Sequence, residues 1–480
     1  MMFTSSLRSI SLLMLFVFSL PVTTSAQTSN NNRVIVLTDI EADPDDTQSL
    51  VRLLLYGNEL DIKGIVATTS CWLQNEIHPE SIERVINAYE AVQPNLLLHD
   101  PNYPDAETLY SLITKGAPVY GMKGVGADKD SEGSRMIIDE LAKADDRPLW
   151  ISVWGGANTL AQALYQIKET RSPQELKRMV SKLRVYTISD QDDSGIWIRN
   201  SFPELFYIVS PGDDYGSATW TGINMQINGV DNSTISNSWL ATNIQQDHGP
   251  LGVVYPDVAW GMEGDTPAFL GLLPNGLNES EHPEWGGWGG RYELYQPEFN
   301  EKDGSSIVEP APETRPIWTN AVDEYRPYVP NQYGRTVKKS DQTQKNDKAT
   351  LYRWRDDFQN DFAARMDWCS QKYEDANHAP VAVLSHSDQL TVTSGQWVNL
   401  DAMESYDPDG DSFSFLWFQY PEAGSLESEL SLGAENVHKV GFRAPKVDEM
   451  KTAHVILKVT DRGEPAMTSY RRVIVTIKPS

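Results

Sequence analysis

Val34-Ile-Val-Leu-Thr-Asp-Ile-Glu-Ala-Asp-Pro-Asp-Asp-Thr47 runs from an apolar tetrapeptide straight into a dense set of acids. Residues 34–37 are apolar and rich in β-branched side chains, the pattern of a strand buried on both faces. Residues 45–56 follow as a helix. Leu50, Val51, Leu54 and Leu55 fall on one face, Pro44 suits the first turn and Asp43 the cap. The alternation continues to about Val209. Strands are predicted over 61–68, 96–98, 148–153 and 185–188, and helices over 79–92, 106–115, 131–143, 159–168 and 172–183. This order predicts an α/β domain: an open, mostly parallel sheet with helices on both faces.

The acids lie where that first strand hands over to its helix. Asp39, Glu41, Asp43, Asp45 and Asp46 fall within one short turn, and a helix start needs only one or two of them. So many like charges repel and raise one another's pKa unless a cation neutralises them. An all-oxygen donor set points to Ca²⁺, with Mg²⁺ second, and no Cys/His set suggests zinc. In open parallel sheets ligands bind at the carboxyl ends of the strands. Three more polar clusters fall at such ends: Trp154-Gly-Gly-Ala-Asn-Thr159, Ser189-Asp-Gln-Asp-Asp193 and Gly261-Met-Glu-Gly-Asp-Thr-Pro267, the last before a short helix over 268–273.

Residues 210–345 are rich in Gly, Pro, Trp and Asn, with Glu284-Trp-Gly-Gly-Trp-Gly-Gly-Arg-Tyr292 the densest patch. Such irregular lengths are uncommon unless they line a site. Residues 345–373 turn helical again. After Asn377-His-Ala-Pro380 the pattern is all β, with strands over 381–384, 396–400, 412–420, 454–459 and 471–478. The chain therefore divides into a domain over 33–375 and a C-terminal β-sandwich of immunoglobulin type over 379–480, expected to fold alone and to support the first. Asp407-Pro-Asp-Gly-Asp411 reads as a turn before a calcium loop, and Trp417 as core.

The chain has 480 residues, 40 Lys plus Arg against 67 Asp plus Glu, and a formal charge of -27. That balance argues against nucleic acid or an anionic membrane as partner, because phosphates want a basic face. Its 14 Trp and 20 Tyr suit neutral sugars, whose C–H faces stack on rings. Residues 1–26 form a secretory signal pattern: Arg8, an apolar run too short to span a bilayer, then small residues up to Ala26. The protein is expected to be exported, periplasmic or extracellular. Cys71 and Cys369 make no disulfide framework, and a bond between them is not expected.

The strand followed by Asp39…Asp45-Asp46 and a helix resembles the nucleoside hydrolases, whose opening motif is Asp-x-Asp-Pro-Gly-x-Asp-Asp. Gly155-Gly-Ala-Asn-Thr-Leu160 is similar to that family's Gly-Pro-Leu-Thr-Asn-Leu turn. The resemblance implies a calcium site from Asp39, Asp45, Asp46, the Asn158 carbonyl and Asp265. Arg52-Leu-Leu-Leu-Tyr56, Asp190-Gln-Asp192, Gly264-Asp-Thr-Pro267 and the patch ending at Arg291 resemble a narrower family more closely. These are exported nucleoside-hydrolase-like proteins labelled cellulose-binding, which carry a C-terminal immunoglobulin-like domain.

Four departures redirect the functional expectation. Glu41 stands where nucleoside hydrolases place the Asp that binds calcium and acts as base, and its extra methylene shifts the carboxylate. Asp43 replaces the motif Gly, and Gly264 a late His. The ribose-gripping Glu-Phe-Asn is not evident near Ile196-Trp-Ile-Arg199, so nucleosides are expected to be poor substrates. The expectation is a secreted calcium-dependent hydrolase of glycosidic bonds in a polysaccharide or oligosaccharide, with Glu41 or Asp43 as base. Asp190, Asp192 or His248 would be the leaving-group acid. Trp197, Arg199, Trp285, Trp288, Arg291 and Tyr292 would hold the sugar. The alternative is a non-catalytic carbohydrate-binding protein on the same fold; a homo-oligomer is left open.

Overall fold

A computed structural model describes residues 31–212, 215–298, 308, 311–330 and 336–480. The expected signal segment, residues 1–26, lies outside the described residues. In chain order the α/β region begins β1 (Arg33–Thr38), α1 (Asp45–Leu55), β2 (Asp61–Ala67), α2 (Pro79–His99), α3 (Ala106–Ser111), β3 (Ile113–Lys115) and α4 (Glu132–Ala142). It continues β4 (Leu149–Val153), α5 (Asn158–Thr170), α6 (Pro173–Lys182), β5 (Leu183–Ser189), α7 (Ser194–Ser201) and β6 (Phe206–Ser210). After short helices α8 (Asn237–Leu240), α9 (Gly249–Val254) and α10 (Pro267–Leu270), strands β7 (Tyr292–Tyr295) and β8 (Ile317–Asn320) complete the sheet.

The strand order is β3-β2-β1-β4-β5-β6-β8-β7, parallel except for the β7–β8 edge. β1 is buried along its whole length, and its side chains alternate between two cores. Val34 and Val36 join α1 and α2, while Ile35 and Leu37 join α4 and α5. Because β1 lies between β2 and β4, successive crossovers leave it in opposite directions. That switch point opens a crevice at the strand ends, and the acids follow β1 into it. Local sequence starts the helices: Ser172 and Glu175 cap α6 reciprocally, with Pro173 in its first turn.

The third strand is not at 96–98. Those leucines end α2, which buries Leu96 and exposes Leu97 and Leu98, and the edge strand is β3 instead. An apolar triplet fits either element, and here it continues the helical face of Ile82, Val85, Ile86 and Tyr89. The helical stretch after 345 splits into α11 (Ala349–Tyr352) and α12 (Arg355–Asp367).

The C-terminal region is a β-sandwich. Ahead of it, still within the α/β region, strands β9 (Asp323–Tyr325) to β12 (Gln344–Asn346) form two small ladders, β9 with β12 and β10 (Tyr328–Pro330) with β11 (Thr336–Lys339). Then β13 (Gln389–Thr393), β14 (Trp397–Asp401), β15 (Ser414–Tyr420), β16 (Lys439–Arg443), β17 (Lys451–Thr460) and β18 (Thr468–Lys478) make two sheets, β13-β18-β17-β15 and β14-β16. β13 and β16 were not predicted, and residues 381–384 contribute only a bridge from Val381 to Tyr406. Trp417 is fully buried between the sheets, as expected, and the Asp407 carboxylate accepts the amides of Asp409 and Asp411 in a turn.

The four-stranded sheet is covered on both faces. Trp417, Val455, Leu457, Val473 and Val475 face the sandwich core, whereas Phe418, Tyr420, Ile456 and Tyr470 enter the core of the α/β region. Residues 31–480 accordingly form one compact unit. No disulfide joins Cys71 and Cys369, both of which are buried.

Candidate functional site

The β1–α1 turn is built to gather carboxylates. Asp39 follows the last residue of β1 and is buried, as are Asp46 and Asp265. Thr38 Oγ1 donates to Asp46, and the Asp45 amide donates to Asp43 Oδ1 at 3.1 Å. Asp43, Asp45 and Asp46 each place an oxygen within 4.8 Å of the others. Asp265 arrives from the turn before α10. That turn is anchored by Glu263, whose buried carboxylate pairs with Arg52 at 2.6 Å and accepts from Tyr255 at 2.7 Å. Arg52, noted in the sequence only as part of a motif, thus positions an acid brought in from far along the chain.

Burial and then mutual repulsion push the Asp45, Asp46 and Asp265 carboxyls well above the usual range; Asp39 is raised to about 6, mainly by burial. Among the described residues, no cation neutralises this group, and Asp265 Oδ2 is buried with no partner. Small residues make the space. A Cβ at Gly155 would collide with Asp39 Oδ1, and one at Gly264 would lie 2.7 Å from Asp45 Oδ2 and 2.8 Å from the Trp220 ring. The donor set is all oxygen and converges, so these residues fit a hard divalent cation.

Glu41 does not join the cluster. Its carboxylate accepts from Ser81 Oγ at 2.5 Å and from Arg84 at 2.7 Å, and these partners hold its pKa below the usual range. That corrects its expected role as base: a carboxylate stabilised as an anion by Arg84 is a weaker one. Asp190 is also diverted. Both its oxygens receive Arg199 at 2.8 Å, and Glu313 takes the remaining face of the same guanidinium. Arg199 is therefore buried and paired, not a sugar contact, and Asp190 is not free to reach a leaving group. Glu313 was missed because nothing near it in sequence announces a partner.

Asp192 lies at the same strand edge as the acids: a Cβ at Gly156 would collide with its Oδ2, next to the Gly155 that receives Asp39. Asp192 accepts from the Ser194 amide at 2.9 Å and the Asn158 amide at 3.2 Å, and burial raises it to about 6. Asn158 opens α5; its side chain is spent on Thr68, Thr69 and the Val119 carbonyl. His248 instead pairs with Asp367 of α12 at 3.1 Å, which ties it to that helix rather than to the acids. Trp197 packs edge-on against Phe202.

The expected aromatic platform does not form. Trp288 is 2% exposed and lies edge-on to Phe358 and Tyr470. Arg291 is buried against Asp323 at 2.7 Å, and Tyr292 is buried with its hydroxyl on Tyr186. Trp285 stacks on His282 and meets His454 of β17. Glycines let these rings pack into the contact with the C-terminal sandwich; they do not expose them. Sequence showed the aromatic density but not which side it faced.

The fold and acid crevice are those of a nucleoside-hydrolase-like protein. Residues 33–292 match the family described as "Cellulose-binding Sde182, nucleoside hydrolase-like domain", and residues 397–477 match "Cellulose-binding protein Sde0182, C-terminal domain". The chain belongs to this family. It is similar to a solved structure of a nucleoside hydrolase-related hypothetical protein from Saccharophagus degradans that is associated with carbohydrate metabolism. The two share 36% identity at a TM-score of 0.78, over 93% of this chain and 100% of the other. The effector protein XOO4466 aligns at 12% identity and a TM-score of 0.27, over 60% of this chain and 87% of the other. No curated protein matches the chain.

Proposed function

We propose that the protein is an exported, calcium-dependent hydrolase of glycosidic bonds, acting on a neutral polysaccharide or oligosaccharide. The convergence of Asp39, Asp43, Asp45, Asp46 and Asp265 at the sheet's switch point carries this reading, with the unpartnered Asp265 Oδ2 at its centre. Asp39, Asp45, Asp46 and Asp265 would hold the ion. When bound, Ca²⁺ offsets the carboxylates' repulsion and supplies a Lewis acid toward sugar hydroxyls. The chain's own groups divide the proton work. Asp43 is half-buried beside Asp45 and Asp46, which supports a role as the base that takes a proton from water. Asp192, raised to about 6 by burial, keeps its proton to higher pH than an ordinary carboxyl, which supports a role in giving a proton to the departing glycosyl oxygen as pH falls toward 6. The family's label and its carbohydrate-associated relative favour a sugar over a nucleoside. No helix among the described residues is long and apolar enough to cross a membrane.

One observation favours a second reading, a non-catalytic carbohydrate-binding protein: Glu41 and Asp190 are both tied to arginines. A screen of neutral glycans for released reducing ends separates the two. The hydrolase reading expects release that EDTA abolishes, that Asp43→Asn cuts by about 10²-fold or more, and that Glu41→Gln leaves within a few-fold. Binding without release across the panel leaves only the second reading. Efficient release of base from inosine or uridine would overturn both.

A further inference from the structure

We propose that Trp72, Tyr215 and Trp220 form an aromatic rail that binds a neutral glycan chain and leads it to the acid crevice. The inference rests on the carbohydrate part of the proposed function and assigns the surface that part lacks, now that Trp285, Trp288 and Tyr292 are accounted for by packing. Trp72 is 51% exposed, although its loop is rigidly held. Ser70 Oγ accepts the amides of Trp72 at 3.0 Å and Leu73 at 3.2 Å, and the Cys71 amide donates to the Gln191 carbonyl at 2.7 Å. Gln191 stands next to Asp192 in the loop after β5, so the turn that displays Trp72 is fastened to the acid-bearing edge of the sheet.

The rings run on without a break. Trp72 Nε1 donates to Tyr215 Oη at 3.0 Å, with ring centroids 6.5 Å apart. Tyr215 meets Trp220 edge-on at 5.3 Å, and Trp220 Nε1 donates to Ser189 Oγ at 3.0 Å. The Trp220 ring and Asp45 Oδ2 both border the space left by Gly264. Both indole N–H groups are therefore satisfied internally; Trp72 is the exposed ring, and Tyr215 and Trp220 continue from it, partly buried, toward the acids. A ring face recognises the C–H face of a pyranose, and the acids at the rail's end repel a polyanion; the fitting occupant is an uncharged glycan. Gln74 and Asn75 are exposed beside Trp72, where sugar hydroxyls need partners.

The test titrates full-length protein with cellohexaose and a panel of other neutral oligosaccharides, with polygalacturonate as the polyanion. Trp72→Ala and Tyr215→Ala are each expected to weaken binding about tenfold or more, consistent with loss of one stacked ring. Trp72→Phe keeps a ring and is expected to stay within a few-fold of wild type. Trp397→Ala, which removes an exposed tryptophan of the C-terminal sandwich, is expected to change nothing. Wild-type affinity in Trp72→Ala and Tyr215→Ala overturns the rail and leaves the carbohydrate reading standing. So does a Trp72→Phe loss as large as that of Trp72→Ala, because the ring face is then not what binds. Tight binding of polygalacturonate overturns the neutral assignment. A wild-type protein that binds no neutral glycan in the panel overturns both the rail and the carbohydrate reading.

Discussion

Asp265 shows what a carboxylate proposed to serve a bound ion costs the ion-free protein. It is buried, repelled by Asp45, Asp46, Asp39 and Asp43, and its Oδ2 has no partner among the described residues. A carboxyl whose native pKa is raised binds a proton more tightly folded than unfolded. Its contribution is fully present below the unfolded value near 4 and is lost as pH rises through the native one. In EDTA at pH 7.5, Asp265→Asn removes a charge that folding disfavours, and the melting temperature is expected to rise by about 2 °C or more. With excess Ca²⁺ the order should reverse, and metal analysis of the purified variant should find the ion lost. A variant less stable than wild type under both conditions would show that Asp265 is structural. The acids themselves were legible in sequence, since local density needs no folding to be seen. Their allegiances were not: Glu41 leaves for Arg84 on α2, and Asp190 is claimed by Arg199, which it shares with Glu313.

At the level of elements, the period of each segment carried most of the fold. β1 alternates between two cores, and the parallel strands appear as short buried runs, so the α/β order could be read directly. Failures fell where a segment is too short for its period to show. Residues 96–98 extend α2, β3 has three residues, and the edge strands β13 and β16 bury only alternate side chains. The glycines after β4 were legible as a close approach, but not to what. Gly155 receives Asp39 where a Cβ would stand, and its amide donates to the Leu37 carbonyl at 3.4 Å, so it rivets two strand ends at the switch point. Gly155→Ala must displace Asp39 or part β1 from β4. It is expected to weaken Ca²⁺ binding by tenfold or more and to cost about 1–3 kcal/mol, the range for an overpacked core. Isothermal titration with Ca²⁺ and a urea melt measure both; unchanged values would mean that Asp39 is not a ligand.

For the whole molecule, the decisive contact is the second face of the C-terminal sheet. Tyr420 and Tyr470 send their hydroxyls to Asp323 and Asp357 of the α/β region, and Trp354 is ringed by Phe418, Tyr420 and Tyr470. Deleting 379–480 therefore uncovers Trp354, Phe358 and Trp288, and the truncated chain is expected to aggregate; a soluble monomer with normal metal content would contradict this. The same contact holds a titratable group. His454 of β17 is buried against Trp285, and its Nδ1 accepts from Arg472 at 3.1 Å. Burial first, and the Arg472 charge second, lower its pKa to about 3. The unfolded chain binds this proton near pH 6.5, so the neutral imidazole's contribution is intact above that value. It shrinks as pH falls toward 3, by up to about 1.4 kcal/mol per unit. His454→Asn offers Arg472 an oxygen in place of Nδ1 and cannot titrate. Urea unfolding of both proteins at pH 7.5, 6 and 5 is expected to show wild type losing stability relative to the variant at each step, while carboxylate titrations common to both cancel. Parallel profiles would mean that His454 is charged or exposed in the native protein, and that the two regions meet less tightly than their shared core implies.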